Sequence, residues 1–181
     1  GGRREIFFGG GDGVVYALGG THYAIVEGKS TQAPSNANEA YDPIADTWAA
    51  KASMPAALSR FGTAVWQGKI YCFGETTTQA YNPATDTWQL LMPMPTPRSS
   101  LQAAAVDGKI YLIGGIVTAA SGTTQFSALN EVYDPATDTW ATCSPMPFAV
   151  ANYASATVNG KIYVISGRCQ NGFSTISNVT D

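Results

Sequence analysis

The chain has 181 residues, of which 45% are hydrophobic and 13% are charged, and it contains 19 glycines and 10 prolines. This composition favours many short strands joined by tight turns over long solvated helices, so it predicts an all-β protein. The formal net charge of -3 argues against nucleic acid as a partner, and no apolar run approaches the roughly 18 residues of a membrane-spanning helix.

One segment recurs along the chain as Gly-Lys-Ile-Tyr. It begins at Gly68, Gly108 and Gly160, and Gly-Val-Val-Tyr at Gly13 is a divergent first copy. Such repetition is typical of proteins built from copies of one supersecondary unit. It predicts a single repetitive domain over residues 1–181, divided into units at 3–55, 56–95, 96–147 and an incomplete 148–181.

Two further markers follow the Tyr motif in each of the first three units. A Tyr-Asp-Pro or Tyr-Asn-Pro turn leads to Asp-Thr-Trp, and a Met-Pro pair closes the unit. The tryptophans of these markers are Trp48, Trp88 and Trp140. Because Asp-Pro and Asn-Pro start turns and tryptophan supplies a large apolar surface, we interpret these motifs as structural.

This ordered set of motifs resembles the kelch family of β-propellers, whose blades repeat about every 50 residues. The resemblance implies four-stranded antiparallel blades with a Gly-Gly pair at the end of the second strand. That pair is intact at Gly19-Gly20 and Gly114-Gly115 and altered to Gly74-Glu75 and Ser166-Gly167. The sequence therefore predicts a partial propeller of about three and a half kelch repeats.

In chain order, the pattern predicts a long loop at 21–38 in the first unit. The second unit has almost no loop after Glu75, and its predicted strands are 61–66, 69–73, 78–81 and 87–91. The third unit repeats this arrangement from Leu101, with a long loop at 116–129. Loops that vary while the blades repeat are where such folds carry function.

The kelch resemblance also implies where a ligand would bind. In kelch propellers that bind peptides, the pocket lies at one end of the central channel, between loops that follow the second strands and loops that join successive blades. The first set comprises Thr21, His22, Tyr23, Glu75, Ile116 and Arg168. The second set comprises Arg60, Arg98, Ser99, Asn152 and Tyr153.

Three residue types in these loops suggest chemistry. Arg60 and Arg98 both follow a Met-Pro pair, which predicts that they share one rim, where guanidinium groups bind a carboxylate or phosphate, or else bind nearby loop carbonyls and aspartates. Glu75 replaces a glycine at that rim, and it either moves protons on a ligand or is neutral variation at an exposed turn. His22 is the only histidine, so we predict no metal site and no cofactor.

The sequence leaves three functions open. We favour a non-catalytic module that binds a protein or peptide, with an acidic partner. The alternative, implied by similarity to the kelch-type sialic acid mutarotases, is binding or isomerisation of a carboxylated sugar, with arginine on the sugar carboxylate. The third function is a scaffold repeat whose faces serve assembly.

Three and a half repeats cannot close a ring, and closure protects the sheet edges of propellers. We expect either a part of a longer six- or seven-bladed polypeptide or a homodimer that completes one ring. No targeting segment is recognisable, so the sequence predicts no compartment. Cys72, Cys143 and Cys169 leave room for one disulfide and one buried thiol.

Overall fold

The computed structural model describes residues 3–8, 13–27, 29–169 and 172–173, and these residues form strands and the turns that join them. The strands make one five-stranded and two four-stranded antiparallel sheets, together with shorter strand pairs. The predicted all-β fold is therefore confirmed. No helix of the described residues is long and apolar enough to cross a membrane.

The first two sheets are called blades 1 and 2. Blade 1 consists of β1 (Arg3–Phe8), β2 (Val15–Val26), β3 (Lys29–Pro34), β4 (Asn38–Asp42) and β5 (Thr47–Ala50). The order across this sheet is β1-β2-β4-β5, and β3 pairs with the far half of β2. Blade 2 consists of β6 (Gly62–Trp66), β7 (Lys69–Gly74), β8 (Thr77–Asn82) and β9 (Thr87–Leu90). These four strands pair in chain order.

Blades 3 and 4 follow. Blade 3 consists of β10 (Gln102–Val106), β11 (Lys109–Ile113), β12 (Ile116–Thr118), β13 (Thr124–Phe126), β14 (Asn130–Asp134) and β15 (Thr139–Cys143). Its sheet has the order β10-β11-β14-β15, while β12 and β13 form a separate hairpin. The described strands of blade 4 are β16 (Ala154–Val158), β17 (Lys161–Ile165), β18 (Arg168–Cys169) and β19 (Gly172–Phe173).

The predicted strands of the second unit are confirmed, with ends that agree to within one residue. The two predicted long loops are wrong, because both segments pair into hairpins. Residues 21–26 of β2 pair with β3 to form the blade 1 arm, and β12 pairs with β13 to form the blade 3 arm. In the blade 1 arm, Tyr23 and Ile25 have the aromatic and β-branched side chains that favour strands. The polar composition of β3 is that of a loop, which concealed the hairpin.

The hydrophobic core lies between successive blades. Blades 1 and 2 share a cluster that includes Leu18, Met54, Phe61, Ile70 and Tyr81. Blades 2 and 3 share Phe73, Met94, Leu101, Leu112 and Tyr133. Blades 3 and 4 share Ile113, Met146, Val150, Tyr153 and Val164. Each blade therefore buries its apolar face against its neighbour, which is how repeat proteins gain most of their stability.

The Tyr-Asp-Trp motif joins blade 2 to the end of blade 1. The Tyr81 hydroxyl donates a hydrogen bond of 2.7 Å to Asp86, whose carboxylate accepts the Ala52 amide at 2.9 Å. The Trp88 indole donates to the Ala52 carbonyl at 2.7 Å. The same contacts, made by Tyr133, Asp138 and Trp140, hold Met92. Trp88 and Trp140 thus supply a specific hydrogen bond as well as apolar surface.

The Gly-Gly pairs are required by close approach of the next inter-blade connection. Gly19 has φ +51°, and a Cβ there would lie 2.7 Å from the Leu58 carbonyl oxygen. Gly114 has φ +63°, and its Cβ would lie 2.5 Å from the Val150 oxygen. Neither position accepts a side chain without displacement of backbone.

No disulfide joins the three cysteines, all of which lie within the described residues. Cys72 is buried in β7, whereas Cys143 and Cys169 are half-buried, on the outermost strand of blade 3 and in the β18–β19 hairpin of blade 4. The disulfide that the cysteine count left open is therefore absent.

Candidate ligand-binding cleft

A cleft of about 390 Å³ opens where blades 2 and 3 meet. We call it the Arg60 cleft. It is lined by Arg60, Glu75, Thr76, Pro97, Arg98, Ser99, Ile116 and Thr118. These residues come from four segments: the connection between blades 1 and 2, the two-residue turn of blade 2, the connection between blades 2 and 3, and the start of the blade 3 arm.

Main-chain hydrogen bonds fix the segment 97–99 across the floor of the cleft. On one side, the Glu75 amide donates to the Arg98 carbonyl at 2.8 Å, and the Arg98 amide donates back at 3.2 Å. On the other side, Ser99 and Ile116 exchange hydrogen bonds of 3.0 and 2.7 Å. The segment therefore forms a short strand between the blade 2 turn and the blade 3 arm.

The Arg98 side chain is buried, with 1% of its surface exposed. Its guanidinium donates to Glu131 at 2.7 Å and to the carbonyls of Gly114 and Leu129 at 3.0 and 3.2 Å. Burial lowers the pKa of Arg98, and the nearby Glu131 carboxylate opposes that shift. Of the two interpretations given for Arg98, hydrogen bonding to loop carbonyls and an acidic residue therefore holds, because the protein's own carbonyls and Glu131 occupy the two terminal NH2 groups of its guanidinium.

Arg60 has the opposite environment. Its side chain is exposed, and among the described residues its guanidinium has no hydrogen bond or ion pair. Its backbone is left-handed, with φ 55°, and its carbonyl accepts the Ser100 amide at 2.6 Å. The backbone is therefore held while the charged group remains available.

The structure also corrects the equivalence between the two arginines. The residues that correspond to Arg60 are Ser100 and Asn152, which share its left-handed φ and are linked to it through successive main-chain hydrogen bonds. Arg98 instead corresponds to Leu58 and Val150, whose carbonyls accept the equivalent amides of Gly20 and Gly115. This alignment of the three connections could have been found in the sequence by counting residues from the Met of each Met-Pro pair.

Glu75 projects from a two-residue turn with left-handed backbone, φ 54°. It stands where blades 1 and 3 have the second glycine of the Gly-Gly pair, and non-glycine residues pay a steric cost of about 1 kcal/mol in this conformation. Its carboxylate is exposed and accepts no side-chain hydrogen bond from a described residue. The cleft therefore contains one available cation and one available anion.

The other predicted rim residues lie outside this cleft, apart from Ser99 and Ile116. His22 and Tyr23 are exposed on the blade 1 arm, and Arg168 is exposed beside Ala151. Tyr153 is buried, and its hydroxyl donates to the Ile113 carbonyl and accepts the Gln102 amide at 3.1 Å. Burial raises the pKa of Tyr153 to about 12.

A smaller cavity of about 130 Å³ continues from Arg60 toward blade 4. Asn152 and Gln102 line it, together with Ser100. Arg60 thus lies between two cavities. Sequence reasoning missed Thr76, Pro97 and Thr118 of the main cleft, although each lies within two residues of a predicted rim residue.

Within the described residues, no group of three or more His, Cys, Asp and Glu side chains is placed to hold a metal ion.

Stacked four-stranded antiparallel sheets with a loop-built cleft at one end define a β-propeller chain. The family model described as Kelch motif matches residues 97–147. A solved structure titled "Structure of YjhT" is similar, with a TM-score of 0.60 and 30% sequence identity over 65% of this chain. Residues 97–147 thus match the Kelch motif, and the described sheets have the fold of a kelch-type β-propeller.

This chain spans 36% of the length of the YjhT chain that it matches. A search of curated proteins found no match.

Proposed function

We propose that this chain is a binding module whose Arg60 cleft holds an acidic segment of a protein or peptide. The observation that carries the proposal is the exposed Arg60 guanidinium, which has no partner among the described residues and borders an open cleft of about 390 Å³. Clefts of about 300–1,000 Å³ with a few convergent polar groups are the usual form of binding sites.

The contrast with Arg98 supports this assignment. Two arginines line one cleft, and the protein satisfies only one of them with Glu131 and main-chain carbonyls. A guanidinium binds carboxylates through paired, charge-assisted hydrogen bonds, each worth about 1.5–3 kcal/mol. The fixed backbone of Arg60 reduces the ordering cost on binding.

Glu75 restricts how an acidic ligand can lie. A ligand carboxylate is attracted to Arg60 and repelled by Glu75 in the same cleft. We therefore expect the acidic group at Arg60 and hydrogen-bond donors, such as amides or hydroxyls, at Glu75.

The proposal predicts that binding requires the ligand's negative charge. An array of acidic peptides would be compared with twins in which each Asp or Glu is replaced by Asn or Gln, using fluorescence anisotropy with the 181-residue chain. We expect the best acidic peptide to bind roughly tenfold or more tightly than its twin, because a charged hydrogen bond is lost. Equal affinity of every pair, or no binding at all, would contradict the proposal.

A second candidate is isomerisation of a carboxylated sugar, and the presence of Glu75 in the same cleft as Arg60 favours it. Arg60 would hold the sugar carboxylate. Glu75 would take the proton of the anomeric hydroxyl and deliver it to the ring oxygen as the ring C–O bond breaks, and the reverse transfers would close the ring on the other face, so the reaction has no net co-reactant.

This candidate predicts that the chain accelerates interconversion of the anomers of N-acetylneuraminic acid, measured by NMR. We expect Glu75→Gln to return the rate to that of buffer, since an amide does not accept the proton. Glu27→Gln is the matched control, because Glu27 is an exposed glutamate outside the cleft. A wild-type rate equal to buffer would remove this candidate.

A further inference from the structure

The blade 3 arm has an alternating pattern of main-chain hydrogen bonds. The Gly115 carbonyl accepts the Ser127 amide at 2.9 Å, and the Ala119 amide donates to Thr123 at 2.9 Å. Odd-numbered residues of this strand therefore bond within the hairpin. Ile116 instead exchanges both of its hydrogen bonds with Ser99, on the opposite side.

This alternation fixes the direction of the Thr118 backbone. In an antiparallel ladder, the N–H and C=O of one residue point the same way and those of the next residue point the other way. Thr118 is two residues from Ile116, so its N–H and C=O point away from β13, toward the side on which Ser99 lies. Thr118 is exposed and lines the Arg60 cleft.

Pro97 explains why this edge is open. Ser99 lies opposite Ile116, so a continued antiparallel ladder would pair Pro97 with Thr118, but no hydrogen bond joins these two residues and both line the cleft. Proline has no N–H and cannot donate to the Thr118 carbonyl. Among the described residues, no hydrogen bond outside the hairpin reaches the Thr118 backbone.

We propose that an extended segment of the acidic ligand adds as a strand to the edge of β12 at Thr118. This inference rests on the proposed function, because it concerns the same cleft and names the conformation of its ligand. Edge addition uses main-chain hydrogen bonds for affinity and alternate side chains for specificity. Here Thr118 supplies the main-chain donor and acceptor, and Arg60 selects the acidic side chain.

The open edge is short, which limits what it accepts. Pro97 ends the existing ladder on one side, and the turn at 119–123 ends the strand on the other. Short edge strands resist pairing with whole sheets and so avoid aggregation. The edge therefore suits a brief extended peptide better than a second sheet.

The first test changes the protein. Thr118→Pro removes the amide that faces the cleft. Thr124→Pro is the matched control, because Thr124 pairs with Thr118 and the same alternation points its amide away from β12 on the far edge of the hairpin. The probe is the tightest acidic peptide of the array. We expect Thr118→Pro to weaken binding of this peptide roughly threefold to tenfold, because one main-chain hydrogen bond is lost. Thr124→Pro should bind the peptide as the wild-type chain does.

The second test changes the same peptide and uses the wild-type chain, so it does not depend on how a variant folds. Peptides that are each methylated at one backbone amide would be compared. Because strand contacts alternate, we expect methylation at one position to weaken binding and methylation at the two neighbouring positions to have no effect. If the acidic peptide binds more tightly than its amide twin but neither test has an effect, strand addition is overturned while the proposed function stands. If no peptide distinguishes itself from its twin, the proposed function fails first.

Discussion

The two arginines of the cleft differ in what their guanidinium groups contact. Arg98 occupies a register position that is apolar in the other connections, at Leu58 and Val150, and its buried charge is matched by Glu131 at 2.7 Å. Removal of one partner from such a pair leaves a buried charge without compensation. Arg98 therefore positions the segment 97–99, and Arg60 is the arginine that we propose binds the ligand.

The tryptophans allow a matched test of inter-blade packing. Trp48 and Trp88 stack on Tyr41 and Tyr81 with the same geometry, at 5.1 Å and 36°. Of these two tryptophans, Trp88 also donates to a preceding blade, at the Ala52 carbonyl. Trp48 is 53% exposed and has no such bond among the described residues.

We therefore expect Trp88→Phe to lower the free energy of unfolding by about 1–2 kcal/mol, through the lost hydrogen bond and reduced packing. Trp48→Phe should change it by about 0.5 kcal/mol or less. Urea denaturation followed by circular dichroism would measure both without depending on tryptophan fluorescence. Equal destabilisation by the two variants would show that the inter-blade hydrogen bond does not contribute to the free energy of unfolding.

At the scale of elements, the strands of the blades were predictable and the arms were not. The inner strands repeat an apolar pattern between Gly-containing turns, so their ends could be located to within one residue in blade 2. The arms lie outside the repeat, and the second strand of each arm is mostly exposed and polar. Their pairing depends on cross-strand contacts that no period in the sequence shows.

The contrast between a two-residue turn in blade 2 and an arm in blade 3 creates the cleft. Glu75 and Thr76 end blade 2 abruptly, whereas Ile116 and Thr118 begin a hairpin that stands beside the gap. The sequence predicted the difference in segment length. It did not predict that the longer segment is a strand with one edge toward the cleft.

At the scale of the molecule, the fold follows from interactions between neighbouring blades. The second and third repeats each carry both halves of the interface, an Asp-Trp pair that holds the preceding blade and a Met that enters the next apolar cluster. Repeated motifs were therefore sufficient to predict the kelch fold. The site was only partly predictable, because it depends on connections from different blades that meet in space, and the burial of Arg98 depends on Glu131, far along the chain.

The most direct test of the proposed function measures the affinity of the tightest acidic peptide for Arg60→Gln. Lys161→Gln is the control, since it makes the same change in net charge at an exposed residue of blade 4 outside both cavities. We predict that the dissociation constant rises roughly tenfold to a hundredfold for Arg60→Gln and is unchanged for Lys161→Gln. Equal affinity of Arg60→Gln and the wild-type chain would contradict the assignment of this cleft.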